Sequence, residues 1–173
     1  MIHRGLLAPF STAIVVVAGV FATFHFGGIR VNASASLPIG LYRTTSDLAA
    51  RLVEFCPSEA SAKLSAKRAY RGKGDCPDRA EPLMKPIVAI DGDIVTFSPS
   101  GVAVNGRLLR NSAPRRLDTN NRPLQHWPFG TYRVCPDTAW VISSFNARSF
   151  DSRYFGPIQL SSVRSHLQRL LTE

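Results

Sequence analysis

From Leu6 to Phe26 the chain runs for 21 positions without a lysine, arginine, aspartate or glutamate. A helix that crosses the hydrocarbon core of a bilayer needs about 20 such residues, so this stretch reads as one membrane-spanning helix. Arg4 and the amino terminus precede it and favour a cytoplasmic start, although Arg30 follows and makes the charge bias slight. The competing reading is a cleaved secretory signal. Ala33-Ser34-Ala35 fits the small-x-small pattern of a cleavage site, and a cut there would leave Ser36 at the new terminus. Against it, the apolar run exceeds the usual length of about 7–15 residues, and Arg30 stands between run and site. Both readings export the remainder of the chain. Residues 1–30 are therefore expected to be a retained anchor with its flank, and residues 31–173 one exported domain.

That domain carries a positive charge. The chain has 21 Lys+Arg against 12 Asp+Glu, a formal net charge of +9. Nucleic acid, anionic lipid headgroups or an acidic partner could each take up such a charge. The basic residues are scattered, with Lys67-Arg68 and Arg115-Arg116 the adjacent pairs, and no aromatic-basic repeat of a nucleic-acid module occurs. A domain held close to a membrane surface fits better, and no nucleic-acid partner is expected.

Beyond the anchor the pattern is mostly β. Short strands are expected at Leu41–Arg43, Leu52–Cys56, Ile87–Ile90, Ile94–Phe97, Val102–Val104, Arg107–Leu109, Tyr132–Cys135 and Ala139–Ser143. Asp91-Gly92-Asp93 and Asn105-Gly106 are turn signals and predict two hairpins. Ser58–Arg71, rich in Ala, Lys and Ser, predicts a helix with Gly72 as its stop, and Ser162–Leu171 a short closing helix. Asn111–Phe129 holds three prolines and reads as a surface excursion. The sum is one small antiparallel β domain, barrel-like or strongly coiled.

Three cysteines, Cys56, Cys76 and Cys135, are each followed by proline. Export implies oxidising conditions, so one disulfide is expected. Cys56 with Cys76 would bracket the predicted helix and close a loop worth roughly 3 kcal/mol in the chain-entropy model, though two other pairings remain open. Paired Cys-x-x-Cys spacing is absent, so no metal site is expected.

Three stretches carry candidate chemistry. The first is Asn32-Ala-Ser-Ala-Ser-Leu-Pro-Ile-Gly-Leu-Tyr42. In an extended strand Ser34 and Ser36 point to one face, and Pro38 and Gly40 then force a turn. Acyl transfer needs a nucleophile and oxyanion donors so placed, although a plain Ser-Ala linker reads the same way. The second is Leu83-Met84-Lys85-Pro86-Ile87-Val88. Apolar neighbours favour a neutral amine, and a neutral lysine is a base. The plainer reading of Lys85 is a surface lysine with its stem over an apolar patch. His126, in His126-Trp127-Pro128, is the alternative base. The third is Ser149-Phe150-Asp151-Ser152-Arg153-Tyr154-Phe155-Gly156-Pro157. If extended, it puts Ser149, Asp151 and Arg153 on one face, where a hydroxyl could hold an amine and Asp151 could pair with Arg153.

Taken together, Ser36-Leu37-Pro38, the Lys85…Gly92-Asp93 stretch and Asp151-Ser152-Arg153-Tyr154-Phe155-Gly156 resemble three ordered boxes of type I signal peptidases. The leading Asn-x-Ser-x-Ser-x-Pro-x-Gly-x-Tyr pattern, Gly74-Asp75-Cys76-Pro77 and Ser149-Phe150 are similar to the conjugative-transfer (TraF-type) branch of that Ser/Lys family. The resemblance runs from about Asn32 to Pro157. It implies a signal-peptidase-type β domain in the periplasm, anchored in a bacterial inner membrane, with no cofactor. Ser36 would be the nucleophile and Lys85 the general base. Ser34 would supply an oxyanion hydroxyl beside the Ser36 N–H. Ser149 would orient Lys85, and Asp151 would support the site with Arg153 as its partner. The implied partner is a pilin precursor, together with other pilus-assembly proteins. Two departures from ordinary signal peptidases favour the specialised branch over housekeeping preprotein cleavage. Leu37-Pro38 shortens the spacer between serine and proline, and Ser143-Ser144-Phe145-Asn146 stands where those enzymes have Gly-Asp-Asn-Arg. A non-catalytic assembly factor built on the same scaffold is the other alternative.

Overall fold

A computed structural model describes residues 27–173. The expected anchor at 6–26 lies outside the described residues. Among those described, no helix is long and apolar enough to cross a membrane.

The chain is mostly β, in two antiparallel sheets. Seven strands form the larger: β1 (Ile29–Asn32), β2 (Gly40–Thr45), β3 (Leu52–Phe55), β4 (Leu83–Ala89), β9 (Thr138–Val141), β10 (Ile158–Gln159) and β11 (Val163–Thr172). Their spatial order is β1-β2-β11-β3-β4-β9-β10. The smaller sheet joins β5 (Ile94–Ser98), β6 (Gly101–Val104), β7 (Arg107–Leu108) and β8 (Gly130–Arg133) in the order β7-β6-β5-β8. Between β3 and β4 the helix α1 (Glu59–Lys67) lies in a loop closed by the Cys56–Cys76 disulfide. Cys135 is free and exposed. A single helical turn, α2 (Ser152–Phe155), precedes β10.

Strand β4 positions the site. Its residues alternate between buried and half-buried, with Leu83, Lys85, Ile87 and Ala89 on the buried face. That period-two pattern carries the lysine inward beside the core of Val53, Phe55, Leu83, Ile87, Val141 and Ile158. Pro86 cannot donate to the ladder, yet its carbonyl still accepts from the Ile142 N–H. A second core, built on Val95, Phe97, Val102 and Trp140, lies between the sheets' other elements.

Four expectations are corrected. Ser162–Leu171 is not a helix. The leucines at 167, 170 and 171 have helical spacing, but β11 is an interior strand that pairs with both β2 and β3. Tertiary pairing overrides the local pattern: Leu167 is buried, while Leu171 is 70% exposed. Asp91-Gly92-Asp93 does turn the chain, with Gly92 at φ +84°, but it does not close a hairpin. The strands it joins, β4 and β5, go to different sheets, and the Asp93 carboxylate holds the crossing by accepting from the Ile90 N–H at 2.9 Å. Helix α1 stops at Lys67 instead of Arg71, because the next residues are used elsewhere. Arg68 and Tyr70 both reach the Asp118 carboxylate, at 3.2 and 2.7 Å, and pin the 111–129 excursion. The serines of 34–36 lie in a turn between β1 and β2 and not in a strand. The Asn105-Gly106 hairpin forms as expected, with Val104 opposite Arg107.

Candidate active site

Asn32 builds the nucleophile turn. This residue, at the end of β1, is buried, and its Nδ2 donates to the carbonyls of Ser34, Leu37 and Pro38 at 2.9, 3.2 and 3.0 Å. Three acceptors around the amide nitrogen fix which way the amide faces. Its Oδ1 therefore accepts from the Ser34 N–H at 3.2 Å and the Ser34 hydroxyl at 2.9 Å. Tyr42, fully buried on β2, also donates to the Pro38 carbonyl, at 2.7 Å. Between them these two side chains curl the backbone so that Ser34 Oγ and Ser36 Oγ come 2.9 Å apart. The expected strand would also have set them on one face, but about 7 Å apart along it. The turn brings them into hydrogen-bond contact.

Lys85 Nζ lies 2.7 Å from Ser36 Oγ. The lysine is only 4% exposed. Burial lowers its pKa from the ordinary 10.5 to about 8. The charge of Asp151 pulls the value up and that of Arg153 pushes it down, each by less than burial lowers it. Desolvation decides the outcome. Ser34 has a single proton, which it gives to Asn32, so Ser36 is the donor in the Ser36–Ser34 contact. The protonated lysine, Ser36, Ser34 and Asn32 form one directed chain of hydrogen bonds.

Asp151 and Arg153 are both fully buried. Arg153 Nε and Nη2 meet the two carboxylate oxygens at 2.8 Å each. The remaining guanidinium protons go to the carbonyls of Asn111, Ala113, Ala147 and Ser149 at 3.0–3.3 Å. Asp151 also accepts from the backbone N–H groups of Arg153 and Ser143. The expected partnership of Asp151 with Arg153 is present, although Asp151 caps the α2 turn and does not lie on a strand. Ser149 is buried, but its hydroxyl has no hydrogen-bond partner among the described residues, and no bond to Lys85 forms. Its carbonyl holds Arg153 instead.

His126 is engaged away from Ser36. Its ring stacks on Phe129 at 4.2 Å and meets Phe97 edge-on, and Nδ1 lies 2.6 Å from the Trp127 carbonyl. Among the described residues no group of three or more His, Cys, Asp or Glu side chains is placed to hold a metal ion. Sequence reasoning assigns no role to Asn32, Tyr42 or Ser143. The first two stand in the Asn-x-Ser-x-Ser-x-Pro-x-Gly-x-Tyr pattern itself, which is the available signal.

Such a constellation, a buried low-pKa lysine against a serine in a tight turn, has the groups that acyl transfer through a serine requires. Residues 5–170 match the family model described as signal peptidase, peptidase S26, and the chain belongs to that family. Within the family it is similar to proteins of plasmid transfer. A plasmid transfer protein TraF from Escherichia coli is 37% identical over 166 residues, covering 91% of this chain and 93% of that one. A probable conjugal transfer protein TraF from Sinorhizobium fredii (strain NBRC 101917 / NGR234) is 34% identical over 174 residues, covering 98% and 90%. Among solved structures, a signal peptidase I from Enterococcus faecalis V583 aligns with 72% of this chain and 99% of that chain, at a TM-score of 0.39 and 18% identity.

Proposed function

We propose that the protein is a membrane-anchored serine endopeptidase of conjugative transfer, in which Ser36 is the nucleophile and Lys85 the general base. The observation that carries this is the 2.7 Å approach of a buried lysine amine, its pKa lowered to about 8, to the Ser36 hydroxyl. Neutral Lys85 takes the Ser36 proton as Oγ attacks the substrate carbonyl. The tetrahedral oxyanion is met by the Ser36 N–H and by the Ser34 hydroxyl, which turns away from Asn32 to donate. Lys85 then passes its proton to the leaving amine, and water, or a captured amine, releases the acyl-enzyme. No cofactor enters these steps.

The substrate is a pilin precursor. Support comes from the plasmid- and conjugal-transfer names of the similar chains and from the shortened Ser36-Leu37-Pro38 spacer. The domain works on the periplasmic face of the inner membrane, held by residues 6–26. The Cys56–Cys76 disulfide suits that oxidising compartment. A serine-directed acylating probe should label the wild-type protein at Ser36 and fail to label Ser36→Ala. Equal labelling of both would end the nucleophile assignment. Cleavage of generic secretory preproteins as fast as a pilin precursor would favour the housekeeping alternative.

A further inference from the structure

Asn32 gathers the carbonyls of Ser34, Leu37 and Pro38. The carbonyl of Ser36, in the middle of that turn, is held by the hydroxyl of Ser143. Ser143 is fully buried and lies just beyond β9. Its position is itself fixed. The backbone N–H donates to Asp151 Oδ2 at 3.1 Å, and the hydroxyl oxygen accepts from the N–H groups of Phe145 and Asn146 at 3.2 and 3.4 Å. One line of contacts therefore runs from the Arg153 guanidinium through the Asp151 carboxylate and Ser143 to the peptide of Ser36.

We infer that Ser143 is a positioning residue, through which the buried Asp151–Arg153 pair sets the backbone conformation of the nucleophile. This rests on Ser36 as the nucleophile, as proposed above. The physical case is one of degrees of freedom. Ser36 Oγ is aimed by the rotations about its own Cα, and those are fixed only if the peptides on both sides are held. Asn32 binds the preceding part of the turn through the Ser34 N–H and carbonyl, and the following part through the carbonyls of Leu37 and Pro38. The Ser36–Leu37 peptide, which sets ψ of the nucleophile, is left to Ser143. A displacement of about 1 Å at a reacting centre costs on the order of 10²-fold in rate, so one hydrogen bond at this peptide has a kinetic consequence. The assignment also gives Asp151 a part in the site that needs no proton transfer. Its charge is spent on Arg153, and what reaches the nucleophile is position.

The test uses the full chain and its Ser143→Ala variant. Ser36-Leu37 is the single Ser-Leu step in the sequence. Labelling serine carbonyls with 13C and leucine nitrogens with 15N therefore isolates one signal, that of the Ser36 carbonyl. Loss of the Ser143 bond should move that signal upfield. On a pilin-derived peptide, kcat should fall roughly tenfold, about what one lost hydrogen bond gives. KM should hold, and so should the pH at which the Lys85 limb rises, because neither substrate contacts nor the lysine have changed. An unmoved carbonyl signal, or a kcat within about twofold of wild type, would overturn the inference. So would a loss of kcat that only tracked a lowered melting temperature and vanished on cooling. Failure of the underlying reading looks different: the wild-type protein itself would form no acyl-enzyme at Ser36.

Discussion

Lys85 and Arg153 are both buried in this domain, and they are treated in opposite ways. Arg153 has a carboxylate across from it and four backbone carbonyls around it. Lys85, 4% exposed, has one neutral hydroxyl. A buried charge is tolerable when its hydrogen bonds are complete; otherwise the group tends to lose the charge. Arginine cannot lose its proton in practice, so it can only be paired, and here it ties together the segments at 111–113 and 147–151. Lysine can lose its proton, and burial is the main cause that brings its pKa to about 8. The same desolvation gives a structural strut in one place and, in the function proposed above, a base in the other. What differs is the partner set and the chemistry of the head group.

The sharpest way to break this contrast is to exchange the head groups. Lys85→Arg puts a permanent charge where a titrating amine stood, and a guanidinium cannot accept the Ser36 proton. Peptidase activity should fall about 10³-fold or more, the range of a lost general base. Circular dichroism should show the fold intact. A folded Lys85→Arg protein with near wild-type turnover would remove lysine from the mechanism. The reverse exchange, Arg153→Lys, should act on stability first. One ammonium cannot span two carboxylate oxygens and four carbonyls, so acceptors are left bare in the interior. The cost should be about 3–5 kcal/mol in urea unfolding, as for a broken buried pair. A cost below about 1 kcal/mol would mean that the pair is not the strut described.

The contrast is half legible in the sequence. Lys85 is legible as a candidate from its apolar neighbours, but Met84, Pro86 and Val88 are apolar as well, so the pattern does not choose a face. The strand, which starts at Leu83 and not at Ile87, is what turns the lysine inward. Asp151 with Arg153 is legible as a pair two residues apart, but for the wrong reason. They meet because Asp151 caps a helical turn, not because they share a strand face. The four carbonyls around Arg153 come from loops up to 42 residues away in the chain, and no local pattern announces such contacts. The same limit explains the missed strand β11, whose leucine spacing is helical and whose conformation is set by β2 and β3. It explains Ser149 too. Alternation aims its hydroxyl at the lysine, whereas the chain's turn at 147–149 leaves the carbonyl, not the hydroxyl, as the group that is used.

The smallest expected effect is thermodynamic and concerns Lys85 without its chemistry. If burial holds its pKa near 8 in the folded chain, while the unfolded chain titrates near 10.4, the two states bind different numbers of protons between those values. In that window the unfolded state holds the extra proton, so stability attributable to Lys85 rises with pH. Below about pH 8 both states are protonated and the full cost of burying the charge is present; above about 10.4 both are neutral and the cost is gone. A gap of this size corresponds to roughly 3 kcal/mol. Lys85→Met, similar in shape and uncharged, should therefore be more stable than wild type at pH 7 by about that amount. The difference should shrink as pH rises from 8 towards 10.4, while the tyrosines, common to both proteins, cancel. Paired urea titrations across that range would show it. A stability difference independent of pH would mean that the lysine keeps an ordinary pKa when folded, and that the distinction between the two buried cations is one of packing alone.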